Sequence, residues 1–147
     1  MTGLESRIAL VTGANKGLGF ETSRQLAKMG IFVLMGSRNS KRGKAAAKEL
    51  QKEGLLVEFL QLDVTKPEQI RKAASEIRKR YGKLDILVNN AGIHLDLLSQ
   101  WKEPRLSRDG FEIQWRTNYL GSVHLTHNLL PLLQATGRGV GEARIVN

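Results

Sequence analysis

Short apolar runs alternate along the chain with longer stretches in which apolar residues recur every three or four positions. The short runs predict buried strands at residues 7–11, 31–35, 56–60 and 84–88. The stretches between them predict helices at residues 17–29, 40–53 and 65–80. Alternation of this kind is typical of strand-helix units repeated on a parallel sheet, so the pattern predicts an α/β fold.

Glycine and capping residues mark the ends of these predicted helices. Gly54 and Gly82 each follow a helical stretch, as glycine often does at a helix C-terminus. Thr65 and Glu68 are three residues apart with Pro67 between them, which predicts a capping box at the start of the third helix.

The last third of the chain has a less regular pattern. Residues 95–109 show no periodicity and predict an irregular stretch. Residues 110–134 predict one long helix, and residues 143–147 predict the beginning of a fifth strand. We therefore expect a sheet that is truncated at the start of its fifth strand.

Composition indicates one globular domain. The 147 residues are 41% hydrophobic and 25% charged, which is ordinary usage for a single packed core. Lys and Arg number 23 against 14 Asp and Glu, and the net charge of +9 would attract phosphates or acidic surfaces. Basic residues crowd the third predicted helix, but Glu68 and Glu76 lie among them, so a solvated face is favoured over a nucleic-acid groove.

The sequence also bears on location and on metals. No apolar run reaches the roughly 18 residues of a membrane span, and the N-terminus, with Glu5 and Arg7, lacks the apolar stretch of a secretory signal. The chain has no cysteine, which excludes disulfides and thiolate metal sites and fits a reducing compartment, so we expect a cytoplasmic protein. His124 and His127 have no cysteine or carboxylate near them in sequence, and no metal site is expected.

The segment VTGANKGLG places Gly13, Gly17 and Gly19 between the first predicted strand and its helix. Glycines here allow a tight turn, close backbone approach to a pyrophosphate and close packing of helix on sheet, with the phosphate at the positive helix N-terminus. Their spacing, G-x-x-x-G-x-G, differs from the commoner dinucleotide pattern G-x-G-x-x-G. A dinucleotide site is favoured, and an ordinary strand-to-helix connection stays open as the alternative.

The second predicted strand ends where an acidic side chain would bind the ribose hydroxyls of NAD. Ser37 and Arg38 stand there instead, and a guanidinium suits a 2′-phosphate because it offers charge and several fixed donors. Lys16 in the glycine turn adds a second cation. NADP is therefore favoured over NAD, the alternative being that these are two ordinary members of a basic chain.

Polar residues also follow the third and fourth predicted strands, at the edge where open α/β sheets bind ligands. Residues 89–92 form a small turn whose asparagines suit hydrogen bonds to backbone or ribose. Asp63 suits either an exocyclic amine such as that of adenine or the start of the turn into the next helix.

Four segments, TGANKGLG, LDVT, NNAG and WRTNYLGSVHLT, follow one another as they do in the short-chain dehydrogenases/reductases, which the chain resembles over nearly its whole length. The resemblance implies a Rossmann-type doubly wound parallel sheet, with residues 1–147 forming an incomplete NAD(P)-binding domain, and it is strongest to NADP-preferring, carbonyl-reductase-like members. It assigns cofactor binding to Gly13, Asn15, Lys16, Gly17, Leu18, Gly19, Ser37, Arg38, Asp63, Val64, Asn90, Ala91 and Gly92.

Within that set the resemblance implies separate roles. Arg38 would bind the adenosine 2′-phosphate, Asp63 and Val64 would border the adenine, and residues 90–92 would border the nearer ribose. Asn118 matches the family's active-site asparagine, which holds a helix kink and a water in the proton path. An asparagine in a long helix also commonly bonds a neighbouring carbonyl, and this alternative stays open.

The resemblance implies hydride transfer between NADP(H) and a carbonyl or alcohol, with a Ser that steadies the substrate oxygen and a Tyr that moves the proton, helped by a Lys four residues later. Tyr81 is followed at that distance by Asp85 and Tyr119 by Val123, so neither fits. The Ser would lie at the end of the fifth strand, which the chain only begins. We expect the NAD(P)(H)-binding portion of such an oxidoreductase, inactive in isolation.

The alternative function is a catalytically inactive truncated product that binds NADP(H) or pairs with a full-length relative. The long helix also predicts a homo-oligomer through residues 110–134, because a truncated sheet would leave its apolar side chains without neighbours. These side chains are Leu120, Val123, Leu129, Leu130, Leu132 and Leu133.

Overall fold

A computed structural model of the chain describes residues 6–94, 103 and 105–147. The strands are β1 (Ile8–Thr12), β2 (Phe32–Ser37), β3 (Val57–Gln61), β4 (Ile86–Val88) and β5 (Arg144–Val146). The helices are α1 (Gly17–Lys28), α2 (Ser40–Lys52), α3 (Pro67–Tyr81), α4 (Ile113–Trp115) and α5 (Ser122–Val140). A π-helical segment, Arg116–Gly121, joins α4 to α5.

The strands of the described residues form one parallel sheet in the order β3-β2-β1-β4-β5. The chain winds outward from β1 in two directions, through β2 and β3 on one side and through β4 and β5 on the other. This arrangement confirms the predicted α/β fold with a Rossmann-type doubly wound parallel sheet.

Helices cover both faces of the sheet, and each face has its own apolar core. Ile70 of α3 and Leu125 of α5 belong to one core, and Leu50 of α2 belongs to the other. Successive residues of β1 serve the two cores in turn, with Leu10 in the first and Val11 in the second, because strand side chains alternate between faces. All of β1 is buried, as expected for a central parallel strand covered on both sides.

The capping box predicted at Thr65 is wrong. Helix α3 begins at Pro67 after Lys66, and no side chain of the described residues caps it. The N–H and hydroxyl of Thr65 donate instead to Asp63 Oδ1, at 2.9 and 2.7 Å. Asp63 therefore accepts the Thr65 N–H that Glu68 would accept in a capping box, and its bond to the hydroxyl ties the Thr65 side chain to the preceding turn.

The long helix differs from the prediction at both ends. It starts at Ile113, and α5 continues past residue 134 to Val140 and ends at Gly141 with φ 92°. Thr136 holds the extra turns, since its buried hydroxyl accepts the N–H of Leu84 at 3.1 Å and donates to the Leu132 carbonyl at 2.8 Å. This tertiary contact outweighs the poor helix propensity of the glycines that follow.

The apolar side of the long helix is better covered than predicted. Leu129, Leu132 and Leu133 are buried in the core that α5 shares with α3, so the expectation that they lack neighbours is wrong. Val123 and Leu130 do remain exposed, at 47% and 37%. A smaller apolar surface than the sequence predicts is therefore left on this helix.

Part of the predicted irregular stretch lies outside the described residues, namely positions 95–102 and 104. Its described end approaches α4, where Leu106 pairs with Glu112 in an isolated antiparallel bridge and the Ile113 N–H donates to the Arg105 carbonyl at 2.8 Å. Among the described residues, no helix has both the length and the apolarity to cross a bilayer.

Candidate functional site

A cleft of about 380 Å³ opens at the carboxyl ends of β1, β3 and β4, beside the strand from which the chain winds both ways. Open α/β sheets bind their ligands at such a switch point. The cleft is lined by most of the predicted residues: Gly13, Asn15, Lys16, Gly17, Leu18, Arg38, Asp63, Val64, Asn90, Ala91 and Gly92. The remaining predicted residues, Gly19, Ser37 and Asn118, each contact a residue of this lining.

Four lining residues were missed by the sequence analysis: Leu62, Thr65, Ile93 and Thr117. Each is a direct neighbour, or within two residues, of a predicted one, so proximity to Asp63, Gly92 and Asn118 was the available signal. Residue type gave no further indication, since isoleucine and leucine in these segments are equally typical of core positions.

The glycine turn brings backbone N–H groups to the cleft. Gly13 and Gly17 have φ of +63° and +57°, in the left-handed region that glycine adopts most readily. Within the part of the chain that the structure describes, no side chain caps α1, and the first turn of this helix carries no acidic residue. The N–H groups of this turn and the positive end of the helix dipole are therefore available to an anion.

Gly19 must remain small because two turns meet at its position. A Cβ there would lie 2.5 Å from the Gly13 carbonyl oxygen and would collide with the side-chain amide nitrogen of Asn90. The glycine thus allows α1 to pack closely against both the turn after β1 and the turn after β4.

Thr12 and Asn90 tie these two turns together. The Thr12 hydroxyl accepts the N–H groups of Asn90 and Ala91 at 3.0 and 2.9 Å, and Asn90 Nδ2 donates to the Thr12 and Gly13 carbonyls at 3.0 and 3.3 Å. The Asn90 amide is therefore committed to backbone groups of the chain. Thr12, which is 2% exposed, was not predicted, because its role depends on the neighbouring strand.

Arg38 and Lys16 are the exposed cations of the cleft. The Arg38 carbonyl accepts from Gln61 Nε2 at 2.8 Å, which fixes its backbone, and within the described residues neither cation forms an ion pair. Ser37 lies beneath them, with its buried hydroxyl 3.3 Å from Asn15 Oδ1 and 3.2 Å from the Asn39 carbonyl. Ser37 thus supports the cleft rather than lining it.

Asp63 forms the turn that was one of its two predicted roles. Its Oδ1 accepts both hydrogen bonds from Thr65, and its N–H donates to Gln69 Oε1 at 2.8 Å. The other carboxylate oxygen, Oδ2, makes no hydrogen bond within the part of the chain that the structure describes, and Asp63 lines the cleft. An acceptor thus stays available for a ligand while the turn is formed.

Asn118 lies in the π-helical segment and holds the loop that follows β4. Its Oδ1 accepts the Ile93 N–H at 2.8 Å, and its Nδ2 donates to the Ile93 carbonyl at 2.7 Å. The partner is thus 25 residues away rather than a carbonyl of the same helix. A π-helical turn inside an α-helix frequently marks a functional site.

Ionisable groups near this helix have perturbed pKa values. Hydrogen bonds from the Ser107 hydroxyl and the Arg116 guanidinium hold the pKa of Asp109 below its usual range. The backbone N–H groups that Glu112 caps lower the pKa of that carboxyl. Burial, together with the positive charge of Arg116, lowers the pKa of His124. Among the described residues, no group of three His, Cys, Asp or Glu side chains could hold a metal ion.

Comparisons with known sequences place this geometry in context. The family model described as short chain dehydrogenase matches residues 7–147. Short-chain dehydrogenase/reductase 1 of Saponaria officinalis is 43% identical, over 97% of this chain and 52% of that protein. Carbonyl reductase (NADPH) 3 of Rattus norvegicus is 42% identical, over 92% of this chain and 48% of that protein. The chain spans about half the length of these curated relatives.

Comparison with solved structures gives relatives of the same kind. Menthone neomenthol reductase from Mentha piperita is 36% identical with a TM-score of 0.78, over 97% of this chain and 60% of that chain. A variant of actinorhodin polyketide ketoreductase with NADPH is 31% identical with a TM-score of 0.77, over 100% of this chain and 54% of that chain.

The contact between the two turns can be tested at Thr12. Thr12→Val should lower the free energy of unfolding by about 0.5–1.5 kcal/mol, because it removes the hydroxyl that accepts the Ala91 N–H and is one of two acceptors of the Asn90 N–H. Thr12→Ser keeps the hydroxyl and should lower the free energy of unfolding by less than Thr12→Val does. Chemical denaturation of both variants measures the difference, and equal stability of the Val and Ser variants would show that these hydrogen bonds do not hold the turns together.

Proposed function

The chain belongs to the short chain dehydrogenase family, and we propose that its cleft binds NADP(H) as the cofactor-binding part of an oxidoreductase. The substrate class is a carbonyl or the corresponding alcohol. NADP(H), when bound, supplies or accepts the hydride. The names of similar proteins support this choice, since one is a carbonyl reductase (NADPH) and another is a ketoreductase solved with NADPH.

The uncapped N-terminus of α1 is the observation that carries the proposal. Among the described residues, no side chain caps the N–H groups of its first turn, and the turn before it lines the cleft. A diphosphate there would accept hydrogen bonds from these groups and would be favoured by the helix dipole. Gly17 suits this contact because a Cβ at its position would have no atom of the described residues within 4 Å, so these residues leave the space over it open.

Arg38 and Lys16 support NADP rather than NAD. Both line the cleft and neither is neutralised by a carboxylate within the described residues. The Gln61 hydrogen bond holds the Arg38 backbone, so the guanidinium extends from a fixed point toward a 2′-phosphate. Ser37 contributes from below through its hydroxyl contact with Asn15.

The adenosine and its ribose are assigned to the walls of the same cleft. Asp63 Oδ2 is an available acceptor for the exocyclic amine of adenine, with Val64 beside it. Because the Asn90 amide is bonded to the Thr12 and Gly13 carbonyls, we assign the ribose contact to the backbone of residues 90–92.

The nicotinamide end is assigned to the wall formed by Thr117 and Ile93. Asn118 holds this wall through its paired hydrogen bonds with the Ile93 backbone, and we propose that this is its part in the active site. The π-helical segment provides the geometry, because it turns Thr117 into the cleft and Asn118 toward the loop after β4.

A second candidate is a product that binds NADP(H) without turnover, or that pairs with a longer relative. It is favoured by one observation, namely that neither tyrosine of the chain is followed four residues later by a lysine. A positioned general acid typically contributes about 10²–10⁴ in rate, so its loss would remove useful turnover.

Self-association and location complete the proposal. The exposed side chains of Trp115, Tyr119, Val123 and Leu130 lie along the long helix, and we propose that a second copy of the chain covers them.

We also propose a cytoplasmic location, because a cysteine-free sequence suits a reducing compartment. Recovery of the protein in a secreted or membrane fraction would contradict this location.

Arg38→Asp should weaken NADPH binding by about 10-fold or more and reduce the preference for NADPH over NADH, because it removes a charge-assisted contact with the 2′-phosphate and adds repulsion. Fluorescence titration with both cofactors measures the ratio. Lys79→Asp makes the same charge change on the exposed face of α3 and should leave the ratio unaltered. An unchanged ratio in the Arg38 variant would contradict the assigned specificity.

The 147-residue chain should bind NADPH and show no carbonyl-dependent NADPH oxidation above a protein-free control. The reason is that its tyrosines lack the lysine partner that the family uses for proton transfer. Absorbance of NADPH with a set of aldehydes and ketones measures the rate. Saturable turnover would show that other groups of the chain supply the proton.

Sedimentation velocity should show a dimer or larger species for the wild-type chain. Val123→Glu places a charge among the exposed apolar side chains of the long helix. It should shift the chain to monomer, because burial of that charge between two copies is costly. Ser75→Glu adds the same charge on α3 and serves as the control. A monomeric wild-type chain would refute this contact.

A further inference from the structure

Arg116 is a buried charged residue for which the sequence offered no role. It lies in the π-helical segment with only 1% of its surface exposed, and it is not part of the cleft lining. Burying a guanidinium is costly unless its charge and donors are satisfied. The position of its partners therefore shows what this residue is for.

The guanidinium is satisfied by one carboxylate and two consecutive carbonyls. Its Nε donates to Asp109 Oδ2 at 2.8 Å, Nη1 donates to the Val64 carbonyl at 3.2 Å and Nη2 donates to the Thr65 carbonyl at 3.0 Å. Val64 and Thr65 belong to the wall of the cleft next to Asp63. Arg116 thus binds the backbone of a segment that lines the cleft, while Arg116 itself lies outside the lining.

A second contact joins the same two segments. A Cβ on Gly121 would lie 2.8 Å from Val64 Cγ2 and 3.0 Å from the Val64 carbonyl oxygen, so the π-helical segment approaches this wall as closely as backbone permits. Val64 therefore packs closely against Gly121, and its carbonyl and that of Thr65 accept hydrogen bonds from Arg116. These contacts also affect Asp63, because its Oδ1 accepts hydrogen bonds from both the N–H and the hydroxyl of Thr65.

We propose that Arg116 is a positioning residue for the adenine half of the cofactor, an inference that rests on the proposed function of the cleft. By fixing the Val64 and Thr65 carbonyls, it sets the orientation of the Val64–Thr65 and Thr65–Lys66 peptides. The N–H of the first of these peptides and the Thr65 hydroxyl both donate to Asp63 Oδ1, so the orientation of the Asp63 carboxylate follows. Lysine cannot replace it, because one ammonium lacks the planar set of donors that reaches three acceptors at once.

Arg116→Lys and Arg116→Met should each weaken NADPH binding by about 10-fold or more, on the scale of a lost charge-assisted hydrogen bond. NADH and adenosine 2′-monophosphate should lose the same factor, because all three ligands carry the adenine. The preference for NADPH over NADH should stay as in the wild type, since the contact with the 2′-phosphate is assigned to Arg38. Fluorescence titration and competition below the unfolding transition measure these affinities.

Two further variants separate positioning from general stability. Thr136→Val removes a buried hydroxyl remote from the cleft and should lower the melting temperature while leaving the affinities unchanged. Asp109→Ala removes a carboxylate that is 37% exposed, and solvent can take its place beside Arg116 Nε, so the fold should persist and the affinity should fall by a smaller factor than in the Arg116 variants. The Asp109 variant keeps the test open if the Arg116 variants do not fold.

Each outcome is decisive. A wild-type chain without saturable NADPH binding would overturn the proposed function and this inference together. Normal affinities in the Arg116 variants, or in Asp109→Ala when the Arg116 variants do not fold, would overturn the inference alone. A loss of affinity in Thr136→Val that matches its loss of stability would also overturn it, because the effect of Arg116 would then be one of stability.

Discussion

The turns after β1 and β4 are hydrogen-bonded to each other, and the cleft depends on this contact. The two strands are parallel neighbours with Val11 opposite Val88, so their carboxyl ends reach the same level of the sheet. The Thr12 hydroxyl and the Asn90 amide then close the gap between the turns. Helix α1 can dock on the joined turns only because Gly19 has no side chain. The open helix N-terminus is therefore a consequence of sheet register, two polar side chains and one glycine.

Much of the fold and of the cleft lining could be predicted from sequence, because both depend on local patterns. Apolar periodicity specified the strands and helices, and the residues that end parallel strands are brought to one edge by the topology. The predictions were wrong where a tertiary contact or a competing hydrogen bond determines where a helix begins or ends. Asp63 takes the hydrogen bonds of Thr65, and Thr136 carries α5 beyond its predicted end. The role of Arg116 could not be foreseen, because its two carbonyl acceptors lie more than 50 residues away.

The basic residues of the chain differ in whether they form ion pairs. Arg24 is paired with Glu21 of its own helix and with Glu53 after α2, and Arg80 is paired with Glu76 of its own helix and with Glu58 of β3. Each of these cations therefore bonds a carboxylate outside its own helix. In the described residues, Lys16 and Arg38 have no such partner and lie at the cleft. Two of the basic residues that form no ion pair in the described part of the chain thus lie where an anion would bind, next to the positive end of α1.

A crystal structure of the chain with NADP⁺ would show directly whether the helix N-terminus is the diphosphate site. We expect diphosphate oxygens within hydrogen-bond distance of the backbone N–H groups at residues 17–19, with the 2′-phosphate at Arg38. NADP⁺ bound elsewhere on the chain, or a diphosphate held by side chains away from α1, would contradict the assignment of the cleft.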